Sequence, residues 1–278
     1  MGIFRKVGAC LLVFSIFVVI ALPTLGIAAE SSFERIRSTG VLRMAAQQGE
    51  EPYWKKDLKT GEWSGFGIEF GKDIAKEMGV KLEVFESTSG QSVLDLLANK
   101  IDISFALTPT PRRMLSIDFT RPLFYNVHLI VAAPDFKKGK TWEELNDPKV
   151  TIAVDLGSTH EMFARRYAPN AKILAYKTFD ECIMALQSKR ADCFVNTVFK
   201  ALATLKKNPG IGKIIIPKPL NAGPTCAGVQ RDQDKLFRDF VSNWADFNRG
   251  LGNIQEWIIK ALGDMGIKAS AIPSEFQF

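Results

Sequence analysis

The sequence predicts an α/β protein of two lobes joined by extended strands. Short β-rich segments alternate with amphipathic helices, a pattern typical of largely parallel sheets with helices on both faces. The alternation starts afresh near residue 150, and the stretch Leu123–Ala133 between the two series is extended, with no turn signal before Pro134. A chain of 278 residues is long enough to give each lobe its own hydrophobic core.

The first series runs from residue 32 to residue 113. Its predicted elements are helix Ser32–Ser38, strand Val41–Ala46, helix Ile68–Met78, strand Lys81–Phe85, helix Ser92–Ala98 and strand Ile101–Ala106. Ile68, Ala75 and Met78 share one helical face, and Gly79 follows as the expected C-cap. A loop with two prolines, Thr108–Arg113, comes directly after the last strand.

The second series repeats this pattern and ends in two helices. Its predicted elements are strand Thr151–Val154, helix His160–Tyr167, strand Lys172–Ala175, helix Phe179–Ser188, strand Asp192–Val195, helix Val198–Lys207, and strands Ile214–Ile216 and Cys226–Val229. In the helix that follows, Leu236, Phe240, Trp244 and Phe247 form an apolar stripe at helical spacing, which predicts their burial. Ile254–Leu262 is the last predicted helix.

Residues 1–29 are predicted to be a cleaved signal peptide. Arg5 and Lys6 form a positive start, the apolar run Val7–Leu22 follows, and the small residues Gly26–Ala29 supply a cleavage site. The alternative is an uncleaved anchor, since 23 uncharged residues separate Lys6 from Glu30, enough to span a bilayer. Because the stretch ends in a helix breaker and small residues, we expect a soluble protein exported to the periplasm.

Composition excludes several classes of protein. Hydrophobic residues make up 46% of the chain and charged residues 24%, with a mean hydropathy of +0.02. These values exclude a disordered chain and a polytopic membrane protein. Removal of the leader lowers the formal charge from +6 to +4. That charge is too small and too scattered to indicate a nucleic-acid partner.

Cysteines and histidines predict neither a disulfide framework nor a metal site. Cys182, Cys193 and Cys226 remain after the leader, an odd number that leaves at least one thiol unpaired. We interpret all three as buried, small apolar residues. His128 and His160 are the only histidines and lie 32 residues apart. We therefore expect no metal and no cofactor.

Two loops at the carboxyl ends of predicted strands are candidates for binding an anion, because ligands of open α/β sheets bind at this edge. Thr108 and Arg113 place a hydroxyl and a guanidinium in one loop, which suits a carboxylate. The alternative is a solvated arginine at a helix N-terminus. Ser158 and Thr159 precede a helix, where free backbone N–H groups attract anions; ordinary helix capping is the alternative there.

Eight segments follow one another in the order and spacing of a known family. They are 36–43 (IRSTGVLR), 63–69 (WSGFGIE), 100–103 (KIDI), 108–113 (TPTPRR), 117–122 (IDFTRP), 157–159 (GST), 185–192 (ALQSKRAD) and 208–209 (NP). By these segments the chain resembles the periplasmic substrate-binding proteins of polar amino acid ABC uptake systems.

The resemblance implies a type II periplasmic binding protein fold whose two lobes close on a ligand. Lobe I would comprise residues 31–126 and 227–278, and lobe II residues 127–226. Each lobe would be a mixed, mainly parallel sheet flanked by helices. Two hinge strands near Phe124–Val127 and Ala222–Cys226 would join the lobes. The resemblance also implies that a monomer delivers a small carboxylate or amino acid to the membrane permease of an ABC transporter.

The resemblance assigns roles to individual residues as well. Arg113 and Thr108 would hold the ligand's carboxylate. Ser158 and Thr159 would complete the grip from lobe II, and the backbone at Ala106 would line the same wall.

Positions that hold the ligand's ammonium group in the family depart from its pattern here. Where the family usually has an aspartate in lobe II, this chain has Asn196 and Thr197, and the acidic position of lobe I falls on Gln47. A buried ammonium without a carboxylate partner costs several kcal/mol. The ligand is therefore predicted to be an unusual amino acid, held by Glu50 or Asp155, or a carboxylate that lacks the amino group.

The aromatic platforms of the family also differ. The first falls on Glu50 and the second near Ser89. A shift of one or two residues in the loop alignment would instead bring Glu51, Tyr53 or Trp54 to the first position.

Two other classes of function compete with a transport receptor. Dehydratases built on this scaffold need an acid in the cleft. The alignment places that acid at Lys200, so we expect no enzymatic activity. The third class is a sensor or orphan module that binds a carboxylate without an amino group.

Overall fold

The computed structural model describes residues 30–88 and 90–276, so the predicted signal peptide and Ser89 lie outside the described residues. Across that part of the chain, no helix combines the length and the apolar character needed to cross a membrane.

The elements alternate in the predicted order. The strands are β1 (Val41–Ala46), β2 (Lys55–Lys56), β3 (Trp63–Ser64), β4 (Lys81–Glu86), β5 (Ile103–Leu107), β6 (Asp118–Phe119), β7 (Phe124–Ala132), β8 (Thr151–Asp155), β9 (Lys172–Tyr176), β10 (Cys193–Thr197), β11 (Lys213–Ile215) and β12 (Ala222–Val229). The helices are α1 (Ser32–Thr39), α2 (Phe66–Met78), α3 (Gln91–Leu97), α4 (Pro111–Met114), α5 (Trp142–Leu145), α6 (Thr159–Tyr167), α7 (Phe179–Gln187), α8 (Val198–Lys207), α9 (Leu236–Gly250) and α10 (Asn253–Asp264), with a short 3-10 turn at Ala269–Ala271.

Strand pairing confirms two α/β halves joined by extended strands. The strand order is β4-β1-β5-β12-β7-β10-β8-β9. β1 pairs in parallel with β4 and β5, and β8 pairs in parallel with β9 and β10. Only the central pairs, β5–β12, β12–β7 and β7–β10, are antiparallel along this path. The carboxyl ends of β1, β5, β8 and β10 therefore meet between the halves.

The two predicted hinge segments lie side by side. Phe124 pairs with Thr225 and Val127 with Ala222, in an antiparallel ladder of four residue pairs. β12 then continues along β5, and β7 continues along β10. Both strands thus pass from one half into the other.

An aromatic cluster packs beneath the meeting point of the two halves. Tyr53 and Phe66 have ring centroids 4.4 Å apart, Phe66 and Phe199 are 5.9 Å apart, and Phe199 and Phe276 are 4.5 Å apart. Phe124 at the start of β7 contacts the same rings. The cluster fixes Tyr53 between α2, β7 and α8.

Strand ends differ from the predicted bounds. β10 runs to Thr197 rather than ending at Val195, and β8 includes Asp155. Polar side chains end the apolar pattern there, but the backbone remains extended. The predicted loop Thr108–Arg113 contains the first residues of α4, which is capped by the Thr110 hydroxyl and has a proline at its start.

The predicted apolar stripe of α9 is wrong at two positions. Leu236 is 46% exposed and Phe247 is 65% exposed, whereas Phe237, Val241 and Trp244 are buried. The core-facing stripe begins one residue later than predicted, about 100° around the helix. The predictions for Cys182, Cys193 and Cys226 are confirmed: all three are buried and unpaired.

Candidate ligand-binding site

A cavity of about 50 Å³ lies where the strand ends of the two halves meet. It is lined by Gln47, Glu50, Tyr53, Trp54, Ala106, Leu107, Thr108, Arg113, Asn126, His128, Asp155, Ser158, Thr159, His160, Thr197, Lys200 and Thr225. All eight residues predicted to bind ligand are among them, namely Gln47, Glu50, Ala106, Thr108, Arg113, Ser158, Thr159 and Thr197. Their contact with a ligand stays a prediction.

Arg113 lies in the cavity wall rather than in solvent. Its Nη1 donates to the Thr108 carbonyl at 3.2 Å and its Nη2 to the Gly157 carbonyl, in the other half, at 3.3 Å. Burial lowers the pKa of the guanidinium, and the nearby Asp155 charge partly offsets this. Arginine remains charged despite such a shift, so a cation partnered by neutral carbonyls faces the cavity.

Ala106, the penultimate residue of β5, has an unusual backbone conformation. Its φ is +58°, in the left-handed region, which costs a residue with a Cβ roughly 1–2 kcal/mol. Such strain is common in binding sites, where the surrounding structure holds the backbone in place. Here it turns the chain sharply into Thr108 and the loop that positions Arg113.

Ser158 acts as a helix cap and also lines the cavity. Its Oγ accepts a hydrogen bond from the Glu161 N–H at 3.2 Å, as the capping alternative predicted, and donates to Asp155 Oδ1 at 2.8 Å. Asp155 Oδ1 also lies 2.7 Å from His160 Nδ1. Burial alone would raise the pKa of Asp155, but the His160 ring and the Ser158 hydroxyl stabilise the carboxylate and its pKa is lowered overall.

His128 comes from β7 and was considered from sequence only as a metal ligand. Its ring stacks on Phe163 with centroids 3.8 Å apart and lies 6.0 Å from the His160 ring. Burial, together with His160, lowers the pKa of His128 to about 3. His128 is therefore neutral near pH 7 and supplies the cavity with an uncharged polar surface.

Lys200 and Glu50 form an ion pair across the two halves. Lys200 lies in the first turn of α8 and contacts the Glu50 carboxylate from the loop after β1. Their side chains are 11% and 6% exposed. Burial lowers the pKa of Lys200, whereas an adjacent carboxylate favours the protonated amine.

The structure distinguishes the two residues at the expected ammonium-binding position. Asn196 is fully buried, and its Oδ1 accepts a hydrogen bond from the Thr197 N–H at 2.8 Å. Thr197 lines the cavity, whereas Asn196 does not. Tyr53 also reaches the cavity, and its hydroxyl accepts a hydrogen bond from Asn126 Nδ2 at 2.7 Å.

A second cavity of about 530 Å³ continues outward from the first and shares Gln47, Glu50 and Asp155 with it. Leu94, Leu156 and Phe179 contribute apolar surface to it, which suits a larger or less polar group than the inner cavity holds.

Comparison with known proteins identifies the family. The profile of the bacterial extracellular solute-binding proteins, family 3, matches residues 42–215. The lysine/arginine/ornithine-binding periplasmic protein of Escherichia coli strain K12 is 26% identical over 237 residues, which cover 82% of this chain and 86% of that protein. The cyclohexadienyl dehydratase of Pseudomonas aeruginosa is 23% identical over 219 residues, covering 78% of this chain and 81% of the enzyme.

Solved structures agree with this fold. The crystal structure of the ancestral amino acid-binding protein AncCDT-1, a precursor of cyclohexadienyl dehydratase, has a TM-score of 0.73 and 29% identity, covering 84% of this chain and 99% of that chain. An ancestral arginine-binding protein bound to glutamine has a TM-score of 0.72 and 28% identity, covering 81% of this chain and 98% of that chain. Because the family profile spans more than half of the sequence, this chain belongs to the bacterial extracellular solute-binding proteins, family 3.

Proposed function

We propose that this protein is an extracytoplasmic receptor that captures a small carboxylate, an amino acid or a close analogue, and delivers it to an ABC permease. The observation behind this proposal is the Arg113 guanidinium, which faces the cavity and donates to neutral backbone carbonyls. A carboxylate would supply the missing negative charge and match the paired donors of arginine. The Escherichia coli relative named for binding lysine, arginine and ornithine supports this class of ligand.

The remaining predicted residues would contact the same carboxylate from other sides. Thr108 would act beside Arg113, and Ser158 and Thr159 would present the first turn of α6, a nine-residue helix. The inner cavity of about 50 Å³ holds about four groups of the size of water, at roughly 10–15 Å³ each. A carboxylate and the atoms next to it would fill this space, and a side chain would extend into the outer cavity.

Closure of the lobes would couple binding to transport. We assign residues 31–126 and 227–278 to lobe I, residues 127–226 to lobe II and residues 1–29 to the signal peptide of a periplasmic monomer. Hydrogen bonding of Arg113 to the Gly157 carbonyl links the two halves, which supports a closed form held together at this point. A ligand held from both sides shifts the population toward that form, with the paired segments of β7 and β12 as the hinge.

A thermal-unfolding screen tests this proposal. The protein would be unfolded and refolded to remove co-purified ligand, then mixed with each common amino acid and its matching 2-oxo and 2-hydroxy acid. A ligand at 100 times its Kd stabilises the native state by about 2.7 kcal/mol, so micromolar binding gives a clear rise in Tm. The primary amides of the same acids are the control, and they should give no rise. Absence of a response to every carboxylate would refute the proposal.

A dehydratase is the second candidate, because the Pseudomonas aeruginosa enzyme is similar over most of this chain. In our alignment, Lys200 stands where such enzymes have their acid, and its amine is paired with Glu50. We expect no cyclohexadienyl dehydratase activity from the wild-type protein. Turnover of that enzyme's substrate, measured by the appearance of its dehydrated product, would favour catalysis over transport.

A further inference from the structure

Lys200 places a second cation in the cavity. It enters from the first turn of α8 and is 9% exposed. Its Nζ contacts the Glu50 carboxylate of the opposite lobe and lies 5.6 Å from the centre of the Phe179 ring. The carboxylate and the aromatic face both stabilise an ammonium group. The protein therefore already holds one ammonium in this part of the cavity.

Asp155, the other carboxylate of the cavity, is also partnered within the protein. Its Oδ1 accepts a hydrogen bond from Ser158 and lies 2.7 Å from His160 Nδ1. Both acids that sequence analysis offered as partners for a ligand's ammonium group are thus engaged with other side chains. An incoming ammonium group would have to share these carboxylates with side chains that already contact them.

Arg113 is in the opposite situation. Among the residues that the structure describes, the hydrogen-bond partners of its guanidinium are backbone carbonyls, and no carboxylate forms an ion pair with it. The cavity consequently has a cation that needs an anion, and two anions that already have cationic or hydrogen-bonding partners. This distribution of charge suits a ligand with a carboxylate and without an ammonium group.

We infer that Lys200 is a specificity-determining residue whose ammonium takes the place of a ligand's α-amino group. This inference rests on the proposed function. The preferred ligand is then a small carboxylate with an oxo or hydroxyl group at C2. An ammonium group has three N–H donors, so Lys200 can form its ion pair with Glu50 and still donate to such an oxygen. An α-amino acid is disfavoured because its ammonium would meet the like charge of Lys200 in a desolvated site.

Calorimetric titration of matched ligands tests the inference. The probes are L-alanine, pyruvate and L-lactate, and L-phenylalanine, phenylpyruvate and L-phenyllactate, each titrated into the refolded protein. We expect wild type to bind at least one oxo or hydroxy acid at least tenfold more tightly than the matching amino acid. In Lys200→Met, Glu50 is released for the ligand's ammonium, so this ratio should move at least tenfold toward the amino acid.

Lys207 provides a matched control. It lies on the same helix, is 47% exposed, and pairs with Glu51 at 2.6 Å outside the inner cavity. Lys207→Met removes a similar cross-lobe ion pair and should leave the ratio unchanged. If Lys200→Met fails to fold because Glu50 is left unpaired, the double variant Glu50→Gln/Lys200→Met replaces it. The double variant should lose the preference for oxo and hydroxy acids without gaining affinity for amino acids.

The outcomes separate the two proposals. An amino acid that binds wild type more tightly than both of its analogues would overturn the inference and leave the receptor function standing. A wild-type ratio that persists in Lys200→Met, or in the double variant, would overturn the role of Lys200. Absence of carboxylate binding in the wider screen would overturn the proposed function itself.

Discussion

Replacing Arg113 with alanine should remove most carboxylate binding while the ligand-free protein still folds. Truncating one partner of a buried, hydrogen-bonded charge pair costs about 2–5 kcal/mol. Arg113 is only partly buried, so we take the lower part of this range, about 2–3 kcal/mol, which raises Kd roughly 30- to 150-fold. The loss includes the hydrogen bond to the Gly157 carbonyl, which joins the two halves.

The same substitution should not destabilise the ligand-free protein, although it weakens ligand binding. Burial lowers the pKa of Arg113, which means that the folded protein holds this charge at a cost. The ligand-free Arg113→Ala protein should therefore unfold at the same urea concentration as wild type or a slightly higher one. Calorimetric titration with the best carboxylate of the screen, together with thermal unfolding with and without it, measures both effects.

Two further variants make this prediction specific. Arg113→Lys keeps the charge but loses the paired donors, so its Kd should lie between those of wild type and Arg113→Ala. Arg112→Ala removes an exposed arginine from the same short helix and should bind as wild type does. A change in Kd below fivefold in Arg113→Ala, or an equal loss in Arg112→Ala, would refute the assignment of the carboxylate site.

Three other predictions concern stability. Tyr53→Phe leaves a buried amide without its acceptor and should lower the free energy of unfolding by about 1–3 kcal/mol in urea titrations, whereas Tyr125→Phe, at an exposed neighbouring ring, should have no effect. Asp102→Asn should cost about 3–5 kcal/mol, because this fully buried carboxylate pairs with two arginines; Asp264→Asn, in an exposed pair, should cost less than about 0.5 kcal/mol. The pKa of His128 is about 3 in the folded protein and about 6.5 unfolded, so the unfolded state binds more protons between these values. The contribution of His128 to the free energy of unfolding should therefore fall by about 1.4 kcal/mol for each unit that the pH drops from 6.5 toward 3. In His128→Phe, the slope of the free energy of unfolding against pH should be smaller over this range.

Element order could be predicted because apolar periodicity and capping residues are local signals. β1 and α8 have the predicted bounds, since a clear polar or helix-breaking residue follows each of them. β8 and β10 extend past their predicted ends because Asp155, Asn196 and Thr197 are polar, although their backbone remains in the sheet. Their side chains are buried against a polar cavity, and an apolar pattern cannot indicate that kind of burial.

The cavity could be predicted in part. The family resemblance and loop chemistry together identified Arg113 and Thr108, which lie close in sequence. The pairing of Glu50 with Lys200 could not be predicted, because 150 positions separate them and they lie in different halves of the fold. The sequence does indicate that Asn126 and His128 line the cavity, because two polar residues at a spacing of two in an apolar strand share one face of the sheet.

The central position of β12 has a consequence for the order of events during synthesis. β5 is made early and pairs with β1 on one side, but β12, its partner on the other side, begins only at Ala222, and the α9 and α10 helices that pack on the same half come later still. The second half has all of its parallel strands by Thr197. The part of the molecule that leaves the ribosome first is therefore the part that is completed last, and until then its sheet edge stays unpaired.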